Sequence, residues 1–270
     1  MAGPDTSPPH PEGGIRSWHF AALTDPGRVR ANNEDAIAVD ASLGLAILAD
    51  GMGGYNGGEV ASGMAIALLQ ASFGRWLTHA GPTAQMRAMR RALQAGTDEA
   101  NSAILEAGLA NMQLQGMGTT LVVAAFGSHR AVVGHIGDSR CYRFRSAKLE
   151  QLTRDHSLLQ EQLDAGMITP EQAAQSPHRN LVTRALGIER SVDLEMHEHG
   201  AFVGDVYLLC SDGLSEMVTD AQISTVLLQN CDLSEKALLL VAMANDNGGR
   251  DNISVVLASA GAGSTATATA

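Results

Sequence analysis

Short apolar or β-branched runs, each closed by Gly, Asp or Ser, punctuate the chain at residues 18–23, 36–39, 43–49, 119–126, 131–136, 141–144, 206–210 and 253–257. Runs of this length and composition predict strands. Gly127-Ser128-His129-Arg130 joins two of them as a hairpin. Between the third and fourth runs the period changes. Val60, Met64, Ala67, Leu68 and Ala71 recur at i, i+4, i+7, i+8 and i+11, which predicts a helix with those residues on its buried face. A second long helix is expected over about 84–107. Two shorter helices are expected to start near Asp220 and Ser234, both suited to an N-cap, with Gly248-Gly249 stopping the last. A further strand is expected near Val192. Strand pairs, then two long helices, then strands again predict an α+β fold, a mostly antiparallel sheet system with helices outside.

Residues 155–187 break this pattern and read as two short helices plus a polar stretch. An insertion of that kind, away from the sheet, is a place for a flap over a site. The ends read as tails: residues 1–14 are rich in Pro and Gly, and residues 261–270 are low-complexity. The material from 15 to 260, flap included, is expected to form one domain.

Composition narrows the class. The 270 residues are 45% apolar and 17% charged, too apolar for disorder. The longest strictly apolar run, 237–244, is far short of the ~20 residues of a membrane span. The first fourteen residues lack the apolar stretch of a signal peptide. Three cysteines at wide spacing, with no CxxC pair, predict reduced thiols and a cytoplasmic protein, and exclude a disulfide scaffold or a thiolate zinc site. A net charge of −11 counts against nucleic acid and anionic membranes as partners. Arg87, Arg90 and Arg91 read as one solvated helix face.

The chemistry lies in the acids. Asp35, Asp50, Asp138, Asp212 and Asp251 all sit beside Gly, Ser or Asn, and Asp50, Asp138 and Asp212 each follow an apolar strand. A carboxylate in that position points out of a sheet edge. Any one alone is an ordinary turn residue. Five converging carboxylates repel one another at a cost of several kcal/mol per charge unless cations offset it. All-oxygen donors select hard ions such as Mg²⁺ or Mn²⁺. Two other motifs fail. Gly51-Met52-Gly53-Gly54-Tyr55-Asn56 places Asn56 where a dinucleotide-binding turn needs its third glycine. His197-Glu198-His199 lacks the HExxH spacing and reads as an exposed strand edge.

Taken in order, Arg30-Ala31-Asn32-Asn33-Glu34-Asp35, Asp50-Gly51-Met52-Gly53-Gly54, Gly118-Thr119-Thr120, Gly137-Asp138-Ser139-Arg140, Ser211-Asp212-Gly213-Leu214 and Gly249-Arg250-Asp251-Asn252 resemble the motif set of the metal-dependent, type 2C serine/threonine protein phosphatases, most of all their compact prokaryotic branch. The segments from Leu152 to Ser157 and from Arg179 to Gly187 resemble that branch's flap. The resemblance implies a four-layer α-β-β-α sandwich with two central sheets and a binuclear site at one end. It implies two Mn²⁺ or Mg²⁺ ions, with a place for a third, and hydrolysis of phosphoserine and phosphothreonine on proteins by a metal-bridging water or hydroxide.

Residue by residue, Asp50 matches the bridging carboxylate and Gly51 the residue whose carbonyl binds the second metal. Asp212 and Asp251 match the remaining ligands of the first. Asp35 with Glu34 matches the acidic pair acting through metal-bound water, Asp138 the third-site ligand and Arg30 the phosphate grip. A planar guanidinium can hold two phosphate oxygens at once. No nucleophilic Cys or Ser is needed, so Cys210 beside Ser211 reads as a buried strand residue. One position departs from the eukaryotic branch: Met52 stands where a histidine serves as general acid, and methionine has no proton to give. Phosphoproteins, a serine/threonine kinase among them, are the expected partners, and the expected state is a monomer. Two rivals weigh less than the enzyme, because all five aspartates are present and the chain is acidic. A catalytically inactive phosphatase-like scaffold would be expected to lack these aspartates, and a metal-dependent nuclease would want a basic groove.

Overall fold

The computed structural model describes residues 15, 17–54, 56–81, 86–174, 176 and 181–261, and it places two antiparallel sheets face to face. The first contains β1 (Ser17–Asp25), β7 (Arg140–Arg145), β8 (Lys148–Gln151), β10 (Val206–Cys210) and β11 (Ile253–Gly261), in the order β1-β11-β10-β7-β8. The second contains β2 (Asp35–Asp40), β3 (Leu45–Met52), β5 (Leu121–Phe126), β6 (Arg130–Ile136) and β9 (Glu195–Gly200), in the order β2-β3-β5-β6-β9; the two-residue β4 (Gly118–Thr119) pairs with the end of β3.

Central strands are buried on both faces, which is why they read as continuous apolar runs. Leu45, Ile47 and Ala49 of β3 face the helices α1 (Gly57–Ala80) and α2 (Met86–Ala110), while Ala46 and Leu48 face the opposite sheet. Leu208 and Cys210 of β10 face α6 (Asp220–Leu227) and α7 (Leu233–Asp246), and Tyr207 and Leu209 fill the space between the sheets. Trp18, Phe126 and Tyr207 cluster there, with Trp18 and Phe126 ring centroids 4.2 Å apart. Three apolar layers between four structural layers make the α-β-β-α sandwich. Two short helices, α3 (Leu158–Asp164) and α4 (Pro170–Ala174), lie in the expected flap, and α5 (Asp212–Ser215) follows β10 directly.

Several expectations need correcting. In α1 the stripe through Val60, Met64, Ala67, Leu68 and Ala71 is not the buried one: Ala67 and Ala71 are exposed, and Ala61, Ala65, Leu69 and Phe73 go inward. The helix is apolar on most sides, so its pattern does not orient it. Small residues do, because they let its backbone approach β3; a Cβ on Gly58 would stand 2.8 Å from the Gly51 carbonyl carbon. The caps of α6 and α7 are Thr219 and Asp232, not Asp220 and Ser234, because each closes a capping box with Gln222 or Glu235. The strand expected near Val192 is β9, three residues on, and it forms an edge that carries His197 and His199.

β8 has no expected counterpart. Its hairpin turns on Ser146 (φ 50°) and Ala147 (φ 61°), left-handed positions where Asn or Gly would have announced the turn. β11 runs through Gly261, which pairs with Ser17, so the first residue of the expected C-terminal tail belongs to the sheet. Residues 1–14 and 262–270 lie outside the described residues, as do Ala84 at the start of the expected second helix and Arg179-Asn180 of the flap motif.

Candidate active site

The acids converge at one end of the sandwich because strands of both sheets finish there. Asp35 and Asp50 are direct cross-strand partners on β2 and β3. Asp50 does not end its strand as expected, since Gly51 and Met52 continue β3 by pairing with Thr119 and Gly118. Asp212 opens α5 after β10, Asp251 stands just before β11, and Asp138 lies in the turn between β6 and β7. They surround a cavity of about 400 Å³ whose wall includes Arg30, Glu34, Gly51 and Met52, with Val182 contributed from the flap. Asp35 is not part of that wall. It sits behind it, 9% exposed, with its Oδ2 accepting the Ser211 hydroxyl at 2.8 Å.

Burial works against these charges. Asp50 is held well above the usual carboxylate range by burial, with Asp35 and Asp212 adding repulsion. Asp212 is raised well above it by burial and by Asp138 and Asp251. Asp35 is pushed up to about 6 by burial, although Ser254 and Ser211 hydrogen-bond its charged form. Asp138 also rises to about 6, through burial and then Asp155. Glu34 is raised, mainly by burial. Asp35 Oδ1 and Asp212 Oδ1 are buried with no hydrogen-bond partner.

Side-chain cations do little to relieve the crowding. Arg140 is forked onto Asp155, with Nε 3.0 Å from Oδ1 and Nη2 2.6 Å from Oδ2. Arg30, more than half exposed, pairs among the described residues with Asp251, Nη2 to Oδ2 at 2.7 Å. Its guanidinium pKa is raised, chiefly by that carboxylate. An oxygen-only cluster with two orphaned buried oxygens fits hard divalent cations.

A framework of neutral groups fixes the acids. The Asp50 peptide is clamped on both sides: its N–H donates to Thr120 Oγ1 (3.0 Å), and its carbonyl accepts the Thr120 N–H (2.9 Å) and the Thr119 hydroxyl (2.9 Å). Thr120 Oγ1 also meets Ser139 Oγ at 2.8 Å, linking Asp50 to the turn that bears Asp138. Asn252 accepts the Glu34 N–H at 2.8 Å and donates to the carbonyls of Pro26 and Asn32, tying the Asp251 loop to the Glu34 loop. Gly51 has no room for a side chain, since a Cβ would lie 2.1 Å from the Gly58 carbonyl oxygen. Thr119, Thr120, Ser211 and Asn252 belong to motifs legible in the sequence, but no individual role for them was.

A family model described as Protein phosphatase 2C matches residues 28–257. The chain is 40% identical over 242 residues to the serine/threonine phosphatase stp of Listeria innocua, a match covering 88% of this chain and 94% of that one. It is 45% identical over 240 residues to the serine/threonine protein phosphatase PstP of Mycobacterium tuberculosis, covering 88% of this chain and 44% of that longer protein. Its fold is similar to the crystal structure of the PstP catalytic domain in complex with two manganese ions, with a TM-score of 0.80 and 40% identity over 90% of this chain and 98% of that one. The S. agalactiae serine/threonine phosphatase superposes with a TM-score of 0.83 at 35% identity, over 90% and 99% of the two chains.

Proposed function

The chain belongs to the protein phosphatase 2C family and is a metal-dependent serine/threonine protein phosphatase, and on that premise we propose the roles of its residues. Asp50, Asp212 and Asp251, with the Gly51 carbonyl, hold two Mn²⁺ or Mg²⁺ ions; Asp138 joins Asp212 at a third; Asp35 with Glu34 acts through water. Cations bound there lower the pKa of water and neutralise phosphoryl charge. One observation supports this assignment above the others: five acids from both sheets line one cavity, burial disfavours the charges of Glu34, Asp50, Asp138 and Asp212 among them, and Asp212 keeps an orphaned oxygen.

The remaining chemistry falls to the chain. Arg30 offers the phosphoryl group a fork at the cavity rim while its other contact restrains Asp251. Among the described residues, neither Cys210 nor Ser211 beside the site is poised to form a covalent phosphoenzyme. The Cys210 thiol is buried and pushed up to about 12, and the Ser211 hydroxyl is spent on Asp35. Met52 lines the cavity and cannot protonate the leaving oxygen.

The substrates are phosphoproteins, and we propose a serine/threonine kinase among them, with the protein acting as a cytoplasmic monomer. Three free cysteines support the compartment, and among the described residues no helix is long and apolar enough to cross a membrane. The inactive-scaffold alternative has no support, since its relatives are named phosphatases and the acids are all present. Chelation with EDTA should abolish turnover of a phosphothreonine peptide, and added Mn²⁺ should restore it. Full activity in a demonstrably metal-free preparation refutes the assignment.

A further inference from the structure

His156 stands where the flap leaves the body of the protein, and both of its ring nitrogens are engaged. Its Nδ1 accepts the Gly137 N–H at 3.2 Å, and its Nε2 lies 3.1 Å from Glu195 Oε2. An Nδ1 that accepts from an amide carries no proton, so the ring proton is on Nε2 and is donated to Glu195. The backbone repeats the link: the His156 N–H donates to the Gly137 carbonyl at 2.9 Å, and its own carbonyl accepts the Thr183 N–H at 2.8 Å. The ring stacks on His135, centroids 4.5 Å apart. Ligand atoms of His135, His156 and Glu195 come within 4.8 Å of one another, a spacing that invites a metal. The hydrogen bonds argue otherwise. Nε2 of His156 cannot ligate while it holds the proton Glu195 accepts, and the other Glu195 oxygen already takes His197 Nε2 at 3.0 Å.

What His156 grips is the turn that carries Asp138. Gly137 adopts φ +100°, and a Cβ there would lie 2.7 Å from Thr120 Cγ2, so the turn is seated tightly against Thr120, between β4 and β5. Ser139 is held to Thr120 on its far side, leaving Asp138 between two anchors. On the flap side, His156 pairs with Thr183, and Leu158 donates to the Leu181 carbonyl at 2.9 Å; this places Val182 at the cavity wall. We propose that His156 is a positioning residue that locks the Gly137–Asp138 turn to the root of the flap, so that the Asp138 carboxylate and the pocket wall at Val182 keep one fixed spacing. The proposal rests on Asp138 being a third-site ligand, and the experiment separates the two.

His156→Phe keeps the stacked ring and removes both ring hydrogen bonds; His156→Asn returns an acceptor oxygen near the place of Nδ1. The half-saturating Mn²⁺ concentration, and kcat and KM on a phosphothreonine peptide and on p-nitrophenyl phosphate, are measured beside Asp138→Asn, with melting temperatures recorded. In His156→Phe, half-saturating Mn²⁺ and peptide KM should each rise about 2- to 12-fold, the worth of one net hydrogen bond. Saturated kcat on p-nitrophenyl phosphate should change less than either, and His156→Asn should recover part of the loss. Should His156→Phe fail to fold, Glu195→Ala on the exposed edge strand frees the same ring, and half-saturating Mn²⁺ should rise there too. A folded His156→Phe with wild-type constants beside an impaired Asp138→Asn overturns the positioning role alone. So does a lowered melting temperature with Mn²⁺ and KM values unmoved. An Asp138→Asn with wild-type Mn²⁺ dependence overturns the third-site reading instead.

Discussion

Replacing Asp138 with Asn should stabilise the metal-free protein while impairing the enzyme. Burial, followed by the nearby Asp155 charge, lifts Asp138 from its usual 3.8 to about 6. The folded state therefore binds this proton more tightly than the unfolded chain does. The stability that Asp138 contributes is complete below pH 3.8 and is lost as pH rises through about 6. At about 1.4 kcal/mol per tenfold change in proton affinity, ionised Asp138 costs the fold at most about 3 kcal/mol at pH 7.5. Asparagine of the same shape carries no such charge. At roughly 2–4 °C per kcal/mol for a chain of this size, the metal-free variant should melt higher by up to about 6–12 °C. At pH 5 wild-type Asp138 is mostly protonated when folded, and the gain should shrink to about half. The assay is thermal unfolding after EDTA treatment at pH 7.5 and pH 5. Saturating Mn²⁺ should narrow or reverse the order, because a ligand for the stabilising ion is gone. A metal-free Asp138→Asn melting at or below wild type at pH 7.5, or a gain that grows on acidification, would refute the reasoning.

Two further substitutions separate phosphate grip from cation binding. Arg30→Ala should raise KM for a phosphopeptide about 10- to 150-fold, the range for a charge-assisted contact of about 1.5–3 kcal/mol. Because Arg30 competes for Asp251 Oδ2, its loss should leave the half-saturating Mn²⁺ unchanged or lower it; an unchanged KM removes Arg30 from the site. Gly51→Ala forces a Cβ to 2.1 Å from the Gly58 carbonyl oxygen and 2.6 Å from that of Glu34, both backbone atoms, so Mn²⁺ binding by calorimetry and activity should fall together. Wild-type Mn²⁺ affinity in that variant would show that the carbonyl is not needed where it stands.

The sequence alone determined the α+β order of strands and helices and the list of acids, while the four layers followed from the family resemblance. Strands buried on both faces must be continuously apolar, and an aspartate closing such a run is conspicuous, so residues 45–49 before Asp50 and 206–210 before Asp212 were both legible. Polar edge strands lack that signature, which is why β8 has no mark in the sequence and β9 begins three residues beyond the strand expected near Val192. The buried face of α1 is not legible in its pattern, because a helix apolar on most sides has no preferred side until Gly58 and Ala61 meet β3.

Only the tertiary structure decided how the acids are used. Ser211 meets Asp35 across 176 residues of sequence, and Arg30 meets Asp251 across 221. Local pattern carries no information over such distances, because it reports the period of one element and not its neighbours. Which carboxylate lies behind the cavity wall, which arginine is already paired and which hydroxyl clamps Asp50 depend on where two sheets end against each other. That is set by how three apolar layers fill space at once, and no single segment encodes it.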